Sequence, residues 1–361
     1  WRRSSPCSRA PELPVRIDAL ELHVVRLALQ HPFATARATT ATRDVLLVHV
    51  RSALGEGWGE CAAEATPAYW YESVASAWAS LGAVDLSEDR SLQQQLVAVG
   101  AGPMARAALE MAVLDLQLHT ADTALAAHLG AVRTTVDATV TAGLVDDVEQ
   151  LLAAGYRSLK VKVAPGAVPA LAYPGVTVQA DANGSLDPID DRRVLDELDA
   201  AGLALIEQPF AIDQLEAYAA LELATPVCLD ESITSLADTR AAIAVGVCQA
   251  VCIKPSRLGG FAAAMAVRDA CAAAGLTAKV GGMLETGIGR AAALALAATP
   301  GFELPADLSA AERYWAEDIV TAPARLDALG RLTVPTGPGL GIEVRLDAVA
   351  AATVEHTVLR R

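Results

Sequence analysis

The chain has 361 residues, enough for two domains with buried cores, and its 53% hydrophobic and 20% charged composition is that of a globular fold. With 28 Lys+Arg against 43 Asp+Glu the net charge is −15 and the pI near 4.8, which argues against nucleic acid and anionic membranes as partners. No apolar run reaches the ~18–20 residues of a membrane span. The basic start at residues 1–7 leads into Pro11-Glu12-Leu13-Pro14 rather than a signal-peptide core. The six cysteines include no C-x-x-C pair and suit buried free thiols in a reducing cytoplasm.

Residues 1–14 are expected to be a flexible extension. Two strands are expected at 17–29 and 44–50, joined by a polar, Ala/Thr-rich loop at 33–42, with a turn at 55–60 leading into a third. Helical patches follow at 74–81 and 92–99. A stronger helix opens at Pro103 and runs through Leu118, with apolar positions at Ala107, Met111, Leu114 and Leu118. A second kind of pattern begins near residues 134–141, followed by a helix at 146–154.

From Leu159 to Pro255 five short apolar runs recur, each ending in a reactive side chain. They are Leu159-Lys160-Val161-Lys162, Val178-Gln179-Ala180-Asp181-Ala182-Asn183, Leu205-Ile206-Glu207-Gln208-Pro209, Val227-Cys228-Leu229-Asp230-Glu231 and Val251-Cys252-Ile253-Lys254-Pro255. The acid and lysine positions are spaced by 207−181 = 26, 230−207 = 23 and 254−230 = 24 residues, the length of a strand, a helix and two turns, so the runs read as βα units of a parallel sheet. Side chains past successive strand ends of a βα barrel converge on one mouth. The interval from Lys162 to Asp181 is shorter, 181−162 = 19 residues, and holds Pro165, Gly166, Pro169, Pro174 and Gly175. An irregular or one-to-two-turn connection is expected there, because Pro breaks a helix interior and Gly weakens it. Helices are expected again at 192–200, 214–223, 236–244, 260–274 and 291–298.

The residue types carry the chemistry. Asp181, Glu207 and Asp230 are hard oxygen donors suited to Mg²⁺, with Mn²⁺ a substitute. The chain has only four lysines, Lys160, Lys162, Lys254 and Lys279, against 28−4 = 24 arginines, and three of the four stand at these strand ends. A desolvated lysine can give up its proton and act as a base, whereas arginine stays charged. Lysines facing a metal-bound carboxylate are the parts needed to remove a proton from the adjacent carbon. Lys160 and Lys162, two residues apart, share one face of their strand. No histidine lies between Leu129 and Glu355, which excludes a His-Asp base and a His-ligated zinc hydrolase in the barrel.

These motifs in this order resemble the enolase superfamily, in its muconate-lactonising branch. The stretch Gly281-Gly282-Met283-Leu284-Glu285-Thr286-Gly287-Ile288-Gly289-Arg290, with Leu304-Pro305-Ala306-Asp307-Leu308-Ser309 and Val334-Pro335-Thr336-Gly337-Pro338-Gly339-Leu340-Gly341, is similar to the o-succinylbenzoate synthase / N-acylamino acid racemase group. The resemblance implies an α/β fold: a (β/α) barrel of modified TIM type at 129–325, an α+β capping domain at 15–128 whose 33–43 loop closes over substrate, and a C-terminal segment at 326–361 returning to the cap. It implies Lys162 as base, Lys160 as its pKa-lowering partner in contact with the substrate carboxylate, Lys254 on the opposite wall, and Asp181, Glu207 and Asp230 as metal ligands. Asn183 and Glu231 would support the ligands. Arg257, Gly282, Met283, Leu284, Arg43 and Arg37 would contact substrate, although Arg37 and Ala38 stand where the group usually has an aromatic residue and a glycine. Lys279 is read as structural. The implied activity is dehydration to o-succinylbenzoate in menaquinone biosynthesis, with N-acylamino acid racemisation by the same residues as the alternative and a dipeptide epimerase or a non-catalytic barrel more distant. The partner is a small-molecule carboxylate, and a homo-oligomer is compatible with the group.

Overall fold

The computed structural model describes residues 16–35, 38–67, 70–88 and 90–361. The expected extension at 1–14 and Arg37 lie outside these residues. The chain first lays down β1 (Ala19–Ala34), β2 (Thr39–Ser52) and β3 (Gly55–Cys61), then α1 (Val74–Gly82), α2 (Leu92–Ala98), α3 (Pro103–Thr120) and α4 (Leu125–His128). The three strands are antiparallel, and period-2 alternation divides their side chains between two cores. Leu20, Leu22, Val24, Leu46, Val48 and Val50 pack with α1–α3. Val25, Val45, Leu47 and Trp58 point the other way, into the core of the second layer.

That layer follows as β4 (Thr135–Asp137), β5 (Thr139–Ala142), α5 (Val148–Ala153), β6 (Ser158–Lys162), β7 (Thr177–Asp181), α6 (Arg192–Ala200), β8 (Leu205–Glu207), α7 (Leu215–Ala219), β9 (Val227–Leu229), α8 (Leu236–Val245), β10 (Ala250–Ile253), α9 (Pro255–Leu258), α10 (Phe261–Ala273), β11 (Thr277–Val280) and α11 (Gly287–Ala297). β5 to β11 form one seven-stranded parallel sheet, ordered β11-β10-β9-β8-β7-β6-β5. Residues 306 and 307 stand where an eighth strand would close it, bridging Ala138↔Ala306 on one side and Gly281↔Asp307 on the other. The chain ends with β12 (Arg331–Thr333), α12 (Leu346–Ala352) and β13 (Thr353–Arg360). β13 pairs antiparallel with β1, giving the first sheet the order β13-β1-β2-β3.

Three expectations are corrected in detail. The loop expected at 33–43 is mostly strand: Phe33 pairs with Thr40 and Ala34 with Thr39, because the β-branched threonines suit a pleated ribbon. Thr35 N donates to Ala38 O (2.9 Å) where the two strands meet. α7 ends at Ala219, short of residue 223, and α11 starts at Gly287 rather than 291 because the Thr286 side chain accepts from Ile288 N and caps it there. Between β6 and β7 no helix forms, in keeping with the prolines and glycines of that stretch.

Candidate active site

Each reactive side chain sits at or just past the C-terminal end of a barrel strand: Lys162 ends β6, Asp181 ends β7, Glu207 ends β8, and Asp230 and Lys254 follow β9 and β10 directly. The parallel register aligns Lys162 with Asp181 and Asp181 with Glu207, so short, buried strands hold the groups at one level. All are buried.

Lys162 Nζ donates to Asp181 Oδ2 (2.6 Å) and Asn183 Oδ1 (2.7 Å). Asn183, in the left-handed region at φ 49°, also donates through Nδ2 to Glu231 Oε1 (3.0 Å). Lys254 Nζ donates to Asp230 Oδ2 (2.7 Å). Four strand positions separate β6 from β10 in a sheet closed as eight, so Lys162 and Lys254 face each other across the mouth. Burial pushes the Asp181 carboxyl up, but Lys162 and Lys160 outweigh it and hold the group well below the usual carboxylate range. Asp230 shows the same balance, with Arg257 and Lys254 as the dominant cations.

Beneath these groups lies a cluster that the sequence did not disclose. Lys160 Nζ donates to Asp307 Oδ2 (2.7 Å) and Glu207 Oε1 (2.8 Å) and lies 3.1 Å from Asp181 Oδ2. Lys279, fully buried, lies 2.6 Å from Glu207 Oε2 and donates to Gln179 Oε1 (2.7 Å) and Asp307 Oδ1 (3.1 Å). Lys160 and Lys279 thus share Glu207 and Asp307, while Lys162 and Lys254 pair with Asp181 and Asp230. Burial alone would lower the Lys160 pKa, but Asp307, Glu207 and Asp181 hold it well above the usual value. Lys160 is thus a fixed cation.

Two arginines act elsewhere than expected. Arg257 is fully buried and donates through Nη2 to Asp230 Oδ1 (2.7 Å) and Asp230 O (2.6 Å), and through Nε to Ile233 O (3.2 Å). It holds Asp230 from behind and does not line the cavity. Arg43 Nη2 donates to Ala62 O (2.6 Å) and Met283 O (3.4 Å), bracing the first sheet against the barrel loop. Gly282, Met283 and Leu284 do line the cavity, Leu284 at φ 57°. Phe33, Thr35, Ala38, Thr40, Glu64 and Tyr314 complete its mouth. Their exposure to the site follows from the fold and has no motif to announce it.

The three acids offer the donor chemistry of a divalent-cation site, and Lys162, Lys160 and Lys254 are their present counter-charges. The donor set of Asp181, Glu207 and Asp230 is entirely carboxylate oxygen, and the adjacent Glu231 keeps a buried Oε2 without a hydrogen-bond partner. Among the described residues two groupings of possible ligand atoms converge, Glu21-His23-His356 on the first sheet and Glu207-Cys252-Asp307 in the barrel. In the second, Lys160 and Lys279 lie between the two acids, and burial pushes the Cys252 thiol well up.

Residues 19–130 match the model of the mandelate racemase / muconate lactonizing enzyme N-terminal domain, and residues 143–348 match the enolase C-terminal domain-like model. The chain belongs to the enolase superfamily. Within the superfamily it is 40% identical to an N-succinylamino acid racemase from Amycolatopsis sp, covering 94% of this chain and 99% of that one. It is 36% identical to an o-succinylbenzoate synthase from Geobacillus kaustophilus, covering 92% and 94%. A solved enolase-superfamily member from Listeria innocua superposes with a TM-score of 0.87 at 32% identity, covering 96% and 99%. The parallel barrel and antiparallel cap are thus the superfamily's modified TIM architecture, and the chain is an enzyme of this superfamily.

Proposed function

We propose that the protein removes a proton alpha to a carboxylate, acting as an o-succinylbenzoate synthase, and that the same residues racemise N-succinylamino acids. The observation that carries this reading is the pair Lys162 and Lys254, buried on opposite walls of one mouth and separated by carboxylates. Asp181, Glu207 and Asp230 would hold Mg²⁺, which supplies a Lewis acid for the substrate carboxylate. Lys162, in its neutral form, takes the α-proton. Lys160, held charged by three acids, supplies fixed positive charge toward the enediolate. In the synthase reaction the proton on Lys162 leaves with the departing hydroxide as water, and the ring becomes aromatic. The racemase reading is favoured by the placement of Lys254, which can return a proton to the opposite face of the α-carbon. The synthase reading would place the enzyme in menaquinone biosynthesis in the cytoplasm.

Proton NMR in D₂O with Mg²⁺ tests both arms on two substrates, the cyclohexadiene precursor and an N-succinylamino acid. New aromatic signals from the first and loss of the α-proton signal from the second are expected. Silence from both would refute the assignment.

A further inference from the structure

The first sheet gathers three of the chain's six histidines on one face. His23 of β1 lies opposite Leu47 of β2 and His356 of β13, and Glu21 of β1 lies opposite His49 of β2, which lies opposite Trp58 of β3. Residues opposite one another in a sheet share a face, as do residues two apart in a strand. Their polar atoms converge on one carboxylate oxygen. Glu21 Oε2 lies 3.7 Å from His23 Nε2, 3.7 Å from His356 Nε2 and 3.9 Å from His49 Nδ1. Arg51 takes the other oxygen, Oε1. His49 is already braced, with Nε2 3.2 Å from Glu56 Oε2 and its ring stacked on Trp58. His23 is not. Both of its ring nitrogens are buried, and neither has a hydrogen-bond partner among the described residues, which is costly for polar atoms removed from water. Burial, with His356 close by, pushes the His23 pKa down to about 4. Near neutral pH its ring is therefore uncharged and keeps a lone pair to give.

The spacing is that of ligands standing slightly apart. A tetrahedral ion with bonds of ~2.0–2.1 Å holds its donors about 3.3 Å from one another, a few tenths of an ångström closer than Glu21 Oε2 stands to either ring nitrogen. Ligand atoms of Glu21, His23 and His356 all lie within 4.8 Å of one another. The His23 and His356 rings are stacked with centroids 4.3 Å apart, so one must tilt for both to reach a single ion. The His356 side chain is 42% exposed and has the room to turn. Two imidazoles and a carboxylate suit a zinc-class ion, whereas Mg²⁺ prefers all-oxygen donors such as the barrel acids. We propose that Glu21, His23 and His356 bind a zinc-class divalent ion, with water in the fourth position, and that the ion ties the C-terminal strand β13 to β1. The tie would link positions 356−23 = 333 residues apart in the chain, and a clip across so long a stretch constrains the unfolded state most. It is independent of the chemistry assigned to the barrel.

Equilibrium dialysis of the full chain against Zn²⁺, with Mg²⁺ in large excess to compete for the barrel acids, tests the site. Uptake of one Zn²⁺ per chain is expected. His356→Gln changes an exposed ring and should weaken that uptake by at least about a hundredfold, because losing a group that merely supports a ligand costs about 10–100-fold. His23→Gln should do the same, while His31→Gln and Asp230→Asn should leave it unchanged. Amide hydrogen exchange gives a second readout: Zn²⁺ should slow exchange across residues 353–360 of the parent and have no such effect in His356→Gln. No uptake by the parent, uptake that survives His356→Gln, or uptake lost in Asp230→Asn would overturn the site. Uptake that leaves exchange in β13 unchanged would overturn the tie between the strands.

Discussion

Lys162 and Lys254 reach the α-carbon from opposite faces, and that gives each a separate signature. Lys162→Met should lose exchange of one enantiomer of an N-succinylamino acid, and Lys254→Met should lose exchange of the other. The loss in each case should be on the order of 10²–10⁴, the usual contribution of a positioned proton-transfer group. NMR on the separate enantiomers decides it, and loss of the same enantiomer by both variants would rule out a two-face arrangement. The strand-end acids and lysines were legible because each ends an apolar run at a repeating interval. Lys279 and Asp307 were not: Asp307 lies where the eighth strand is reduced to isolated bridges, and Lys279 precedes a glycine run with no reactive neighbour in sequence. Arg257 and Arg43 were expected to contact substrate, whereas the structure turns both onto protein acceptors, because the direction of a long side chain depends on groups such as Asp230 O and Ala62 O that only the fold supplies.

At the scale of elements, the joint between α3 and α10 carries a titratable group. Glu110, on α3, accepts from Phe261 N at the first turn of α10 (3.0 Å). Burial pushes its carboxyl up from 4.5 to about 7, against the lowering effect of the backbone donors Phe261 and Ala262. Between these pH values the folded state holds a proton that the unfolded chain has released. The group's contribution to stability is therefore full below about 4.5 and is lost as pH rises through about 7, by up to ~3 kcal/mol. Glu110→Gln keeps an acceptor and removes the titration. Its melting temperature should fall less than that of the parent between pH 5 and pH 8, and an equal fall would show that Glu110 stays ionised. Glu60, also raised to about 7, is present in both proteins and cancels. Most element positions were readable from period and capping. The ends of β1 and β2 were not, since Ala/Thr-rich sequence suits a loop as well as a strand until a partner pairs with it.

Across the whole molecule the cap and barrel share one core, in which Val25, Val45, Leu47 and Trp58 of the first sheet pack with barrel residues such as Val140, Val161 and Ile288. A cation bound among the barrel acids should therefore stabilise the entire chain rather than one layer. The acids there are already countered by Lys162, Lys160, Lys254, Lys279 and Arg257, so part of the attraction is spent in displacing those contacts. The remaining gain follows from ligand binding to the folded state alone, about 2.7 kcal/mol at a hundredfold excess over Kd. Thermal melting should show one transition that moves up with Mg²⁺ concentration. In Asp230→Asn the absolute melting temperature reports lost contacts to Lys254 and Arg257, so the informative quantity is the Mg²⁺-dependent shift. That shift should shrink or vanish in Asp230→Asn and in Glu207→Gln. A full shift in both variants would place the cation elsewhere, and two separate transitions in the parent would mean that the shared core does not couple cap to barrel.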